Sequence, residues 1–317
     1  MQLTVLSEVE DMKISKPRSS IAAEIRELAK RRNAIILAHN YQLGEVQDIA
    51  DYLGDSLELS QKAAKTDADV ILFCGVHFMA ETASILSPDK TVLTPEENAG
   101  CPMANMITPE RLRALKVKHP GATVVTYVNS TAEVKAESDV CCTSANALKV
   151  VESVKTPEVI FVPDKYLAAY VSRKTKKKII PWAGYCPTHI KILPEDILKQ
   201  KKLHPDAEVI VHPECTPPVI ELADKVLSTG GMCKRAKESD FSEIIVGTEV
   251  GLLHRLRKEN PEKKFYPASD KAICPNMKKI NLEKVLRSLQ NLKKEVKVPK
   301  DIRVKVKIAL DRMLETS

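Results

Sequence analysis

No two cysteines in this chain are separated by two residues, although eight are present among 317 residues. The missing CxxC spacing disfavours a zinc ribbon and a thioredoxin-type redox site. A secretory start is lacking too: the opening MQLTVLSEVEDMKISK has no basic segment followed by an apolar one, and no apolar run approaches membrane-spanning length. The chain therefore reads as cytoplasmic, with no membrane partner. In that setting dispersed cysteines are buried thiols, metal ligands or catalytic groups rather than a disulfide framework. Aromatic residues are scarce, at 4%, and no RNP-like or zinc-finger pattern sets rings beside basic residues, which argues against nucleic acid. Lys and Arg outnumber Asp and Glu, 49 against 42. That excess suits small anionic ligands, while a run such as RKTKKK at 173–178 reads as solvated surface.

What is present is a unit repeated three times. AIILAHNY from Ala34, ATVVTYVNS from Ala122 and AEVIVHPEC from Ala207 are β-branched runs ending in polar residues, the pattern of a buried parallel strand that delivers side chains at its carboxyl end. Seventeen residues after His39, Tyr127 and His212 come Ser56, Ser144 and Thr229. Each hydroxyl stands where an apolar-periodic helix begins, and each is expected to be its N-cap. A second strand follows in every unit (DVILFCG, EVIFVP, EIIVGT), then a helix (AETASIL, YLAAYVSR, VGLLHRLRK), then a short run (KTVLTP, KKIIPW, KKFYPA) leading to a Cys-Pro pair. From His39 to Cys101 is 62 residues, from Tyr127 to Cys186 is 59 and from His212 to Cys274 is 62. The expected fold is α/β: three pseudo-threefold-related αβ units with parallel sheets around a central cavity. The expected division is an N-terminal extension (1–20), units at 21–107, 108–197 and 198–288, and a helical tail (289–317).

Ligands of such units lie off the carboxyl ends of the strands, which gathers His39 to Tyr41, Tyr127 to Asn129 and His212 to Glu214 with the three Cys-Pro cysteines. A single Cys-Pro is an ordinary turn, and Cys74, Cys215 and Cys233 read as small core hydrophobes. One cysteine at the same point of three units reads as a shared ligand set. Zinc is one occupant. Without CxxC spacing, an iron-sulfur cluster suits the thiolates at least as well. Three cysteines leave one iron of a cubane open to act as a Lewis acid. Proline after each cysteine removes a backbone donor and fixes the turn, which helps to aim the sulfur. Adjacent Cys141 and Cys142 read either as a disulfide or as packed thiols.

The sequence resembles the quinolinate synthase family of de novo NAD biosynthesis. The likeness rests on AHNYQ, the serine of GDSLELS, ENAGCPMA, TYVNS, CCTSANA, PDKYLA, WAGYCPTH, VHPEC, STGGM, GTEVGLLHRL and AICPNM, from about Ile21 to Leu289. It implies a triangular assembly of three αβα units in which Cys101, Cys186 and Cys274 carry a 4Fe-4S cluster. It implies that iminosuccinate (iminoaspartate) and dihydroxyacetone phosphate condense there, losing phosphate and two waters to give quinolinate. Its matching positions imply substrate contacts at His39, Ser56, Tyr127, Asn129, Ser144, His212, Glu214 and Thr229. Glu214 and His212 are the preferred acid-base pair, with Tyr41, Tyr127 and His189 as further catalytic groups. Functional coupling to an aspartate-oxidising enzyme that supplies the imine is expected. The alternatives are a reductive dehydroxylase built on a three-cysteine cluster and a zinc-stabilised binding protein.

Overall fold

The computed structural model describes residues 17–316. The first sixteen residues of the expected N-terminal extension lie outside it. The first unit runs α1 (Arg18–Arg31), β1 (Ala34–His39), α2 (Gly44–Ile49), β2 (Tyr52–Gly54), α3 (Ser56–Lys65), β3 (Val70–Cys74), α4 (His77–Leu86) and β4 (Thr91–Leu93). The second repeats that order as α5 (Pro109–Lys118), β5 (Thr123–Tyr127), α6 (Ala132–Lys135), β6 (Val140–Cys142), α7 (Ala147–Ser153), β7 (Glu158–Val162), α8 (Lys165–Ser172) and β8 (Lys178–Pro181). The third repeats it again as α9 (Pro194–Leu203), β9 (Glu208–Val211), α10 (Pro217–Glu221), β10 (Lys225–Val226), α11 (Thr229–Glu238), β11 (Glu243–Gly247), α12 (Leu252–Glu259) and β12 (Lys264–Pro267). Helices α13 (Leu282–Asn291) and α14 (Lys300–Glu315) follow.

Three four-stranded, all-parallel sheets result, ordered β2-β1-β3-β4, β6-β5-β7-β8 and β10-β9-β11-β12. The same register recurs in each: Ala38 faces Cys74, Thr126 faces Val162 and Val211 faces Gly247. His39, Tyr127 and His212 each come next along the chain, at the point where strand order reverses. That is where an open parallel sheet leaves a crevice for a ligand. The strands are apolar along their length because helices cover both faces; Val70–Cys74 is buried throughout. α13 packs on α1 and β3, and α14 packs on β6, α6 and α4, so the C-terminal helix joins the first and second units.

Candidate functional site: a cavity where three strand ends meet

One cavity is lined by side chains from all three units. Cys101, Cys186 and Cys274 line it, together with His39, Tyr41, Ser56, Tyr127, Asn129, Ser144, His189, His212, Glu214 and Thr229. Every site residue named from the sequence therefore borders the same space. The three Cys-Pro cysteines are partly exposed to that space, whereas Cys74, Cys141, Cys142, Cys215 and Cys233 are buried. All eight are free thiols, Cys141 and Cys142 included.

Each Cys-Pro pair opens a short turn, and three of these turns are 3-10 helices: Met103–Met106, His189–Lys191 and Met277–Lys279. Proline supplies no N–H, so the first available donors are those of the following residues. Those donors face the sulfurs: Ala104 and Met103 face Cys101, His189 and Thr188 face Cys186, and Met277 and Asn276 face Cys274. Burial opposes them and pushes the Cys101 thiol up to about 12, with Cys186 and Cys274 also raised. Such thiols give up their protons only to a cation that binds there.

Two arrangements of metal-ligating atoms border the cavity: Cys186, His189 and Glu214 close together, and the three cysteines farther apart. Among the described residues, the group of three or more His, Cys, Asp or Glu ligand atoms lying within 4.8 Å of one another is Cys186, His189 and Glu214. Tetrahedral zinc, with Zn–S near 2.3 Å, would hold its sulfurs about 3.8 Å apart. Cys101, Cys186 and Cys274 do not form so tight a group, which goes against a zinc ion held by these three cysteines together. Three sulfurs from three units, each facing N–H donors, suit a larger soft centre.

Beside the cysteines lies a buried hydrogen-bonded network. The Tyr127 hydroxyl donates to Glu214 Oε1 at 2.5 Å, and His189 Nδ1 meets Glu214 Oε2 at 2.7 Å. His189 Nδ1 is also 3.1 Å from Cys186 Sγ. His189 and His212 stack with ring centroids 4.6 Å apart, and His212 Nε2 lies 3.2 Å from Ser144 Oγ. Burial raises the Glu214 carboxyl, but the neighbouring histidines and the hydrogen bonds from His189 and Tyr127 outweigh it and hold the group below its ordinary range as an anion. Burial lowers His39 and His212 to about 3, which makes both neutral imidazoles near neutrality. Burial raises the Tyr41 and Tyr127 phenols well above 10, so both keep their protons.

The helix starts differ from expectation. Asp55, not Ser56, caps α3, accepting from Leu57 and Glu58 N–H, and Ser228, not Thr229, caps α11 through Gly231 N–H. Ser56 and Thr229 are the first helical residues, which places their side chains and their unpaired N–H groups at the positive ends of the helices. The two caps bond one another, Ser228 Oγ donating to Asp55 Oδ2 at 2.9 Å, and so join the first and third units. Ser144 is no cap either. Asn146 Oδ1 accepts from Thr143 N–H at 2.7 Å, and the resulting turn delays α7 to Ala147. Thr229 Oγ1 accepts from Asn40 Nδ2 at 2.9 Å, while the buried Asn129 Oδ1 has no protein partner. A buried amide oxygen left unpaired beside a cavity is a place for a ligand donor.

Sequence reasoning passed over Thr248, Glu249, Lys278 and Asp164. Thr248 Oγ1 lies 2.6 Å from the Tyr41 hydroxyl and 2.9 Å from His189 Nε2. Glu249 is fully buried; it accepts from Cys274 N–H at 3.0 Å and Gly251 N–H at 2.7 Å and pairs with Lys278 at 2.9 Å. Lys278 in turn donates to the Tyr41 carbonyl. The buried Asp164 caps α8, and the Cys186 N–H faces its carboxyl. GTEVG and PDKYLA carried Thr248, Glu249 and Asp164, and Lys278 directly follows AICPNM, but no spacing rule marked any of them.

A family model described as "NadA: Quinolinate synthetase A protein" matches residues 23–315. Among curated proteins, a "Quinolinate synthase" of Dehalococcoides mccartyi (strain CBDB1) is 63% identical over 297 residues, covering 94% of this chain and 98% of that protein. One from Methanosarcina barkeri (strain Fusaro / DSM 804) is 60% identical with the same coverage, and one from Geobacter sp. (strain M21) is 57% identical, again over 94% and 98%.

Proposed function

The chain belongs to the quinolinate synthetase A family, and from that premise we propose that its cavity condenses iminosuccinate with dihydroxyacetone phosphate, releasing phosphate and two waters to give quinolinate. The observation that carries this reading is the convergence of three strand ends and three Cys-Pro turns on one cavity. Cys101, Cys186 and Cys274 would hold a 4Fe-4S cluster. Bound there, it supplies an iron without a protein ligand, a Lewis acid for a departing hydroxyl.

The remaining steps belong to side chains of this chain. Joining the substrates and dehydrating the product require protons to leave carbons next to carbonyl and imine groups. Glu214, ionised and fixed between His189 and Tyr127, is the base for that work. His212 and His39, neutral through burial, offer uncharged imidazole nitrogens as hydrogen-bond partners for substrate groups. Ser56 and Thr229, at the starts of α3 and α11, suit the carboxylate and phosphate groups, and Asn129 presents its unpaired amide. Tyr41 and Tyr127, protonated throughout, stabilise developing oxyanions. An aspartate-oxidising enzyme would furnish the unstable imine. No described helix is long and apolar enough to cross a membrane.

Reductive dehydroxylation at a three-cysteine cluster is set aside by family membership. The deciding experiment supplies oxygen-free, cluster-loaded protein with both substrates and measures quinolinate by its absorbance and mass. Quinolinate and phosphate should appear in equal amounts. A loaded protein that releases neither overturns the proposal.

A further inference from the structure

Thr248 has no counterpart in the other two units. His77, Lys165 and Val250 each donate a backbone N–H to the carbonyl two residues before a Cys-Pro cysteine: to Ala99 at 2.8 Å, Gly184 at 2.8 Å and Ala272 at 3.0 Å. That shared bond aligns the three units residue by residue. Two positions earlier stand Gly75, Pro163 and Thr248. The fold therefore accepts no side chain in one unit and a ring without a donor in another. A hydroxyl is not something the repeat requires at this point.

The hydroxyl is buried, with Thr248 only 2% exposed, and leaving it unpaired there would carry a desolvation penalty. It has two partners, Tyr41 at 2.6 Å and His189 Nε2 at 2.9 Å. The direct approach of Tyr41 to His189 is longer, 3.4 Å. A hydroxyl has one proton and two lone pairs, so Thr248 can donate to only one of these partners; when His189 Nε2 carries no proton and accepts from Thr248, the Tyr41 hydroxyl donates to Thr248. The direction of the Tyr41 hydroxyl proton is thereby tied to the state of His189 Nε2. Nδ1 of the same ring faces Glu214, an anion that only accepts, and Glu214 is held on its other side by Tyr127. The result is one chain, Tyr41 to Thr248 to His189 to Glu214 to Tyr127, that begins and ends on phenols bordering the cavity. Thr248 itself is not among the residues that line it.

We propose that Thr248 is a positioning residue: its hydroxyl fixes the orientation of Tyr41 against His189, and so the direction in which the two groups present protons to the substrates. This rests on the condensation reading given above. The test compares Thr248→Val, which keeps the shape without the hydroxyl, with Thr248→Ser, which keeps the hydroxyl. Steady-state quinolinate formation is measured with iron and sulfide content, and crystal structures of both variants are determined. Thr248→Val should lower kcat about 10- to 100-fold, with KM within about threefold of the parent and iron content unchanged. Thr248→Ser should stay within about threefold of the parent kcat. The double variant Tyr41→Phe with Thr248→Val should be no slower than the slower single one, because both cut the same bridge. Parental kcat in Thr248→Val, equal damage in Thr248→Ser, or full additivity with Tyr41→Phe each overturns the role. Should the parent protein form no quinolinate, the functional reading fails, and the structures still decide: Tyr41 leaves its place beside residue 248 in the Val variant and keeps it in the Ser variant, or the role is wrong.

Discussion

Glu214 is the residue on which the network turns, since its two carboxylate oxygens answer His189 and Tyr127 separately. Glu214→Gln should keep the cluster and the fold but lower kcat by about 10²- to 10⁴-fold; metal content measured beside kcat checks this, and an active Gln variant would remove Glu214 from the proton chemistry. His39 and His212 carry a second expectation. Unfolded imidazoles take protons as pH falls through about 6.5, whereas these two resist until about 3. Between those values the unfolded chain binds more protons, so stability falls as pH is lowered, by about 1 kcal/mol for each histidine at pH 5.5 relative to neutrality. Urea unfolding at pH 7.5 and 5.5 should show a smaller drop for His212→Asn than for the parent; equal drops would mean His212 is not held neutral. The cysteines, His39, His212 and Glu214 were legible because residue type and a near-constant repeat spacing mark the Cys-Pro turns and the strand ends, and His189 because it stands in the WAGYCPTH motif. Thr248 was not, because the repeat offers glycine and proline at its position and no periodicity singles out a lone hydroxyl. Ser56 and Thr229 were found for an imperfect reason: Asp55 and Ser228 cap the helices one residue earlier.

At the scale of elements, the long strands and the helices after them could be read from apolar runs and caps. The edge strands β2, β6 and β10 could not, being only three, three and two residues long, too short for any pattern to declare itself. They set the strand order and with it the crevice in each sheet. The Cys-Pro turns depend on close backbone contacts that also leave no sequence pattern. A Cβ on Gly184 would sit 2.4 Å from the Pro163 carbonyl oxygen, within the bridge that pairs Asp164 with Gly184. Gly184→Ala should therefore cost about 1–3 kcal/mol and displace the turn bearing Cys186. Thermal unfolding and iron content of the variant measure both effects. Unaltered stability with full iron content would show that the turn does not depend on this approach.

Taken whole, the molecule is three copies of one αβ unit whose separate crevices face a common space, so that no unit carries the site alone. Contacts between copies maintain the arrangement: Ser228 to Asp55 between the third and first, Tyr127 to Glu214 between the second and third, and α14 across the first and second. The triplication was legible because spacing between chemically similar residues survives where sequence identity does not. The inter-unit bonds were not legible, since they join residues far apart in the chain, 87 positions for Tyr127 and Glu214 and 173 for Asp55 and Ser228, with no local signature. The central claim is that the repeat brings three cysteines to one shared cluster. It is tested most directly by iron and acid-labile sulfide per chain in oxygen-free protein, for the parent and for Cys101→Ala, Cys186→Ala, Cys274→Ala and Cys233→Ala. The account predicts about four of each in the parent and in Cys233→Ala, and loss of both in each of the other three. Stoichiometric zinc without sulfide, or full cluster content in any of those three variants, would contradict it.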